Sequence, residues 1–237
     1  MSELVLENVS YAYKGSDRKA VNNVSVHFEE SKVNAVIGPS GSGKTTLLSI
    51  MAGLDSPTEG DALIDGERLS GMDLDQYRRE KVSMIFQAFH LFPLLTVLEN
   101  VCFPMELNGV EKEAAIERAK IYLKSVGITE EKHKRYPGNL SGGEQQRVAI
   151  ARTLASGARV ILADEPTGNL DKANGQNIVD ILKSLAHDQG YCVIIVTHDP
   201  AVADQADHVW KMDDGVLRDY GFNTINDITK GLEGMTK

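Results

Sequence analysis

Apolar and polar positions divide the chain into runs of two kinds. Val24-Ser-Val-His-Phe28 alternates with period two, as a strand with one buried face does. Leu4-Val-Leu-Glu-Asn-Val9, Gly60-Asp-Ala-Leu-Ile-Asp-Gly66 and Val82-Ser-Met-Ile-Phe86 are further short strand candidates. Lys32-Val-Asn-Ala-Val-Ile37, Val160-Ile-Leu-Ala163 and Cys192-Val-Ile-Ile-Val-Thr197 carry almost no polar relief and predict strands buried on both faces. Between them, Lys44 to Ala52 and Lys172 to His187 have helix composition. Glu111 to Val126 sets Ala, Ile, Leu and Val at helical spacing among Glu, Lys and Arg. Asp199-Pro200 reads as an N-cap followed by proline at the first helical position. Apolar strands separated by helices predict an α/β fold with a parallel sheet covered on both faces. Residues 88–156 read as mostly helical and interrupt that sheet. Residues 220–237, polar and glycine-containing, read as a loosely packed C-terminal tail.

Composition narrows the class. Of 237 residues, 42% are hydrophobic and 25% charged, which suits one globular domain over residues 1–237 and excludes disorder or a disulfide scaffold. Lys and Arg total 25 against 34 Asp and Glu, for a net charge of -9. A chain this acidic is a poor match for a nucleic-acid backbone, so no nucleic-acid partner is expected. A polyanion could still be gripped locally by backbone amides and one lysine. The two cysteines, Cys102 and Cys192, have no metal-ligand spacing and read as thiols of a reducing cytosol. Met1-Ser-Glu-Leu-Val-Leu-Glu lacks a basic region followed by an apolar stretch, so no signal peptide is expected. The richest apolar window, Met84 to Leu98, is broken by Gln87, His90 and Pro93 and falls short of the ~20 apolar residues of a membrane helix. Any action at a membrane is therefore expected to go through a partner.

The candidate chemistry begins at Gly38-Pro39-Ser40-Gly41-Ser42-Gly43-Lys44-Thr45, a match to G-x-x-x-x-G-K-[ST] between a predicted strand and a predicted helix. Its glycines let the loop wrap phosphates with its N–H groups facing inward at a helix N-terminus, with Thr46 just behind. Lys44 would reach the β- and γ-phosphates and the Thr45 hydroxyl would bind Mg²⁺. Downstream, an apolar strand ends in Asp164-Glu165. Asp164 would complete the Mg²⁺ shell through water, while Glu165 would polarise the attacking water as general base. His198 follows the next apolar strand, at the end where a parallel sheet lines its ligand crevice, and would hold the water or the γ-phosphate. Gln87 occupies a similar strand end and could touch metal or water.

The decisive stretch is Asn139-Leu-Ser141-Gly142-Gly143-Glu144-Gln-Gln-Arg-Val-Ala-Ile-Ala-Arg152. Ser141-x-x-Glu144 is a capping box, yet two glycines in a first helical turn cost stability without helping the cap. They make sense if another molecule's phosphate must approach the backbone there. The chain here resembles the ATP-binding cassette (ABC) family, whose signature is Leu-Ser-Gly-Gly-Gln/Glu, and the resemblance spans about residues 3 to 218 with every motif in the family's order.

The resemblance implies a P-loop NTPase core of mostly parallel sheet, an N-terminal antiparallel β subdomain and an inserted helical subdomain. It assigns the Q-loop to Gln87, the Walker B pair to Asp164 and Glu165, and the switch histidine to His198. The D-loop falls at Gly168-Asn-Leu-Asp171, where many relatives have Ser-Ala-Leu-Asp; Asp171 is retained. Tyr13 aligns with the aromatic that stacks on adenine, with Tyr11 as the fallback. It further implies ATP and Mg²⁺ as cofactors, and a head-to-tail pair of cassettes clasping each ATP between one copy's phosphate loop and the other's signature helix. The partners it implies are a second copy of the chain and an integral-membrane permease. The chain would then sit at the cytoplasmic face of the cell membrane. The stretches 86–101 and 163–171 look like the ATPases of lipoprotein-releasing, macrolide-exporting and bacitracin-resistance transporters. The competing class, an ABC ATPase of cell division or of nucleic acid and ribosomes, would for the latter carry coiled-coil insertions, zinc sites or a second cassette. No such feature is visible in the sequence.

Overall fold

The computed structural model describes residues 2–221. Its strands are β1 (Leu4–Ala12), β2 (Lys19–Phe28), β3 (Lys32–Ile37), β4 (Glu59–Ile64), β5 (Glu67–Arg68), β6 (Val82–Ile85), β7 (Val160–Asp164), β8 (Cys192–Thr197), β9 (His208–Asp213) and β10 (Val216–Gly221). Its α-helices are α1 (Lys44–Met51), α2 (Leu74–Glu80), α3 (Val97–Leu107), α4 (Lys112–Ser125), α5 (Gly142–Ala155), α6 (Lys172–Gln189) and α7 (Pro200–Ala203). The strands form two sheets. One is antiparallel, in the order β2-β1-β4-β5; the other runs β10-β9-β3-β8-β7-β6. In the second, β9, β3, β8, β7 and β6 are parallel, and only β10 pairs antiparallel to its neighbour.

Strands without polar relief are explained by the two cores they divide. On β7, Ile161 and Ala163 face one core while Val160 and Leu162 face the other; β8 does the same with Val193 and Ile195 against Cys192, Ile194 and Val196. The first core is closed by α3 to α7, through residues such as Val101, Leu123, Val148, Ile178 and Val202. The second is closed by α1 and the antiparallel sheet, with Leu47, Leu48, Ile50 and Met51 packed beside Leu4, Leu6, Val26 and Phe28. Both cysteines are buried, and burial pushes Cys102 up to about 11 and Cys192 up to about 12, so neither is a nucleophile at neutral pH.

Helices α3, α4 and α5 pack on one another, and α5 also reaches α6 and β6. The loop that leads into α3 is folded by one fully buried amide. Asn100 Nδ2 donates to the carbonyls of Phe92, Leu95 and Thr96 while its Oδ1 accepts from Phe92 N–H at 2.8 Å.

The first two residues of the expected tail are strand. Tyr220 and Gly221 belong to β10, held by pairing with β9 (Asp219↔Trp210, Gly221↔Val209), and Tyr220 packs against the first core. Residues 222–237 of the expected tail lie outside the described residues. The antiparallel strands also run longer than their apolar runs imply, because β1 and β2 continue pairing past Val9 through register shifts.

Candidate functional site

Strands β3, β7 and β8 end side by side, and their ends carry the loop 38–43, Asp164 with Glu165, and His198. These converge on a cleft of about 730 Å³, within the range of small-ligand sites. Its lining also includes Ser40, Gly41, Gly43, Lys44, Thr45, Thr46, Gln87 and Tyr13. Gly38, Pro39 and Ser42 of the same loop are absent from that lining, and at Gly38 and Gly43 glycine is sterically required. A Cβ on Gly38 would stand 2.1 Å from the Met212 carbonyl oxygen at the end of β9. Gly43, at φ +106°, has the Ala20 carbonyl oxygen of β2 at 2.1 Å from any Cβ. The loop is therefore pressed against backbone from both sheets. Gly43 also precedes the first turn of α1, which no side chain caps, leaving its N–H groups available to an anion.

Lys44 is buried, and its Nζ donates to the Gly38 and Pro39 carbonyls at 2.8 and 2.9 Å. Burial lowers its pKa, opposed by the charges of Glu165 and Asp164. Burial raises the pKa of Asp164, as does the negative charge of Glu165, against the pull of Lys44. One ammonium thus faces two carboxylates, a cluster with surplus negative charge in a half-enclosed site. The Thr45 hydroxyl, the Gln87 amide and the Asp164 carboxylate are hard oxygen donors around it, and the surplus charge suits a divalent cation such as Mg²⁺. Among the described residues no group of three His, Cys, Asp or Glu forms a metal cage, so such a cation would keep water and substrate oxygens in its shell.

Glu165 has φ +46°, a left-handed conformation that costs a non-glycine residue roughly 1–3 kcal/mol and persists only when its surroundings hold it. Its N–H donates to the Val196 carbonyl at 2.9 Å, and its carbonyl accepts from Gly168 N–H at 3.0 Å. Its side chain is held at both oxygens: His198 Nδ1 lies 2.6 Å from Oε1, and Thr197 Oγ1 donates to Oε2 at 3.1 Å. Gln87 is tied to the turn after β7, donating to Asn169 Oδ1 at 3.3 Å while Asn169 Nδ2 donates to the Gln87 carbonyl at 2.9 Å. Of the two tyrosines, Tyr13 lines the cleft, its hydroxyl 2.8 Å from Thr46 Oγ1. Tyr11 packs edge-on against it at 5.1 Å and turns its hydroxyl to Asp55, away from the cleft.

Ser141, Gly142, Gly143 and Glu144 do not join this cleft. They open α5 as a complete capping box, with Ser141 N–H donating to Glu144 Oε2 at 2.8 Å and Glu144 N–H to Ser141 Oγ at 3.4 Å. Lys132 Nζ lies 2.5 Å from Glu144 Oε1 and, with the Ser141 N–H, holds that carboxyl at about 2. Asp171 is likewise absent from the lining; it caps α6, accepting from Asn174 N–H at 3.0 Å and Asn174 Nδ2 at 2.7 Å.

The structure adds polar side chains that sequence reasoning missed. Gln146 is fully buried in α5 and donates to the carbonyls of Pro166 and Phe86, next in sequence to Glu165 and Gln87. Thr197 and Asn169 likewise bond atoms far along the chain, while Asn100 bonds the loop just before it. No local signal marks them, although Gln146 adjoins the signature and Thr197 adjoins His198.

A family model described as ABC transporter matches residues 21–168. The ABC transporter ATP-binding protein YclH of Bacillus subtilis is 41% identical over 207 residues, 87% of this chain and 92% of that protein. The macrolide export ATP-binding/permease protein MacB of Shigella flexneri is 42% identical over 219 residues, 90% of this chain but 34% of the larger protein. Among solved structures, the dimeric cassette MJ0796, a protein of Methanocaldococcus jannaschii, aligns with a TM-score of 0.83 at 40% identity, covering 92% of this chain and 100% of that one. A dimeric post-hydrolysis state of MJ0796 bound to ADP and Pi aligns with the same TM-score. The cleft at the strand ends and these likenesses, each spanning most of the chain, agree: the chain belongs to the ABC transporter family, as one of its ATP-binding and ATP-hydrolysing cassettes.

Proposed function

We propose that this cassette hydrolyses Mg-ATP at composite sites between two copies of itself and so drives a membrane permease in export, extraction or mechanotransmission. The observation that carries the reading is the division of the motifs: the phosphate loop, Asp164, Glu165, Gln87 and His198 share one cleft, while Ser141 to Glu144 lie outside it. A second copy supplies the missing wall, its α5 N-terminus offering free N–H groups to the γ-phosphate. In this reading Lys44 and the loop amides from Gly38 to Thr45 hold the β- and γ-phosphates, Thr46 lies behind them and Tyr13 stacks on the adenine. Asp171 works at the junction of the two copies. Thr45, Gln87 and, through water, Asp164 hold Mg²⁺, which offsets the charge developing on the phosphates. Glu165 accepts a proton from the attacking water as its oxygen bonds to the γ-phosphorus and the bond to the β-phosphate oxygen breaks, leaving ADP and phosphate. His198 orients that water and the γ-phosphate.

No helix among the described residues is long and apolar enough to cross a membrane. In this reading the cassette works at the cytoplasmic face of the membrane, held there by the permease. Residues 88–156 form the arm that docks. Phe92 and Leu94 are exposed, and Phe92 packs on Phe103 at 4.8 Å beside a groove of about 230 Å³ that also includes Leu107 and Arg152. A short amphipathic helix of the permease fits that groove, and Gln87 connects it to the nucleotide. The similarity to MacB supports a permease partner.

ATPase assays on the full chain test the chemistry. Glu165→Gln should bind ATP and lose nearly all turnover, whereas Lys44→Ala should lose ATP binding itself. Near-normal turnover by Glu165→Gln would remove the base from its role.

A further inference from the structure

Glu165 is the group on which hydrolysis turns, and its two oxygens are held by unlike partners. His198, on Oε1, has a side chain 71% exposed and is free to swing. Thr197, on Oε2, is fully buried at the last position of β8, the strand paired with β7. Its hydroxyl accepts from Asp199 N–H at 3.0 Å and so has one proton left, which it donates to Glu165. The backbone of Glu165 is strained, and nothing in its left-handed geometry fixes where the carboxylate points.

We infer that Thr197 is a positioning residue for hydrolysis: its buried hydroxyl locks Glu165 Oε2, so that Oε1, once His198 turns to the γ-phosphate, is the oxygen that takes the proton of the attacking water. The inference rests on Glu165 being the base. Thr197 is buried and absent from the cleft lining, so it acts only through the carboxylate. Without its donor, the carboxylate is free to rotate and offers the water an ill-placed oxygen, a loss felt in the transition state and not in nucleotide binding.

Steady-state ATPase measurements on the full chain test this. Thr197→Val keeps the shape and removes the hydroxyl; Thr197→Cys loses the γ-methyl and puts a much weaker donor in the hydroxyl's place; Thr197→Ser also loses the γ-methyl but keeps the donor, so it guards against a folding defect. A hydrogen bond to a charged group corresponds to roughly tenfold or more in kcat for Thr197→Val, with an intermediate loss for Thr197→Cys. KM for ATP should stay within about twofold in both, and Thr197→Ser should restore most of the turnover. In a Glu165→Gln background, Thr197→Val should cause no further loss of residual turnover, whereas a structural defect would lower it again. Unchanged kcat in both Thr197→Val and Thr197→Cys, failure of Thr197→Ser to rescue, or a full additional loss in the Glu165→Gln background would each overturn the inference. Normal turnover by Glu165→Gln alone would overturn the base assignment instead, so the two failures are told apart.

Discussion

Two glycines of the phosphate loop have the same backbone handedness and opposite surroundings, which makes them a paired test of how the site is built. Gly41 has φ +76° with nothing within 4 Å of the place a Cβ would take, whereas Gly43 has φ +106° with the Ala20 carbonyl oxygen at 2.1 Å and Met212 Cε at 2.8 Å from that position. Alanine at Gly41 incurs only the left-handed backbone cost of about 1–2 kcal/mol, offset by roughly 0.4–1 kcal/mol from a less flexible unfolded chain. The net is a loss of about 0–1.6 kcal/mol, at most roughly 6 °C in Tm for a chain of this size. Alanine at Gly43 adds the displacement of a backbone carbonyl, typically about 1–3 kcal/mol of overpacking on top of a strained φ worth about 1–3 kcal/mol. The sum is about 1–5.6 kcal/mol after the same offset, and its mid-range of about 3 kcal/mol corresponds to roughly 6–12 °C. Thermal and urea unfolding of Gly41→Ala and Gly43→Ala without nucleotide would measure both. Equal losses in the two variants would refute the claim that contact with β2 and β9, and not handedness alone, shapes the loop.

Two further outcomes follow from the helical arm. Glu144 falls from 4.5 to about 2 because Lys132 and the Ser141 N–H favour its charged form. A carboxyl whose folded pKa is depressed stabilises the fold above its unfolded value and loses that contribution as pH falls toward the folded one. Urea midpoints should therefore drop between about pH 4.5 and pH 2 more steeply in the native chain than in Glu144→Gln, and identical slopes would contradict the pairing. In the loop that carries Phe92 to the groove, Leu94→Glu, at a residue 87% exposed, should leave basal ATPase and Tm unchanged while abolishing co-purification with the permease in detergent; intact complex would place docking elsewhere.

Much of the site was legible because its chemistry is local in sequence. The phosphate loop, the capping box at Ser141 and the carboxylate pair after Val160-Ile-Leu-Ala163 each declare themselves within a dozen residues, and the fully apolar strands β3, β7 and β8 could only belong to a sheet covered on both faces. What escaped depends on pairing across the fold. Strand β10 is half exposed, with no apolar run, and exists because β9 offers it an antiparallel edge, so the sequence alone places Tyr220 and Gly221 in a tail. Helix α2 has one buried residue, Tyr77, whose hydroxyl reaches the Met51 carbonyl at 2.6 Å, too little for an apolar periodicity to show. Asn100, Gln146 and Thr197 read in the sequence as ordinary polar residues. Their importance comes from burial beside carbonyls or a carboxylate that the fold brings to them, hydrogen bonds that a hydrophobic substitution would break.

The central claim is that a nucleotide at the phosphate loop of one copy is completed by the α5 N-terminus of another. Size-exclusion chromatography with light scattering on Glu165→Gln, with and without Ser141→Arg, in saturating Mg-ATP tests it most directly. The account predicts that Glu165→Gln doubles in mass on adding Mg-ATP, while the Glu165→Gln, Ser141→Arg protein binds ATP with similar affinity and stays monomeric, because the bulky cation blocks the helix end. A double variant that dimerises as readily as Glu165→Gln, or a Glu165→Gln protein that remains monomeric with ATP fully bound, would contradict it.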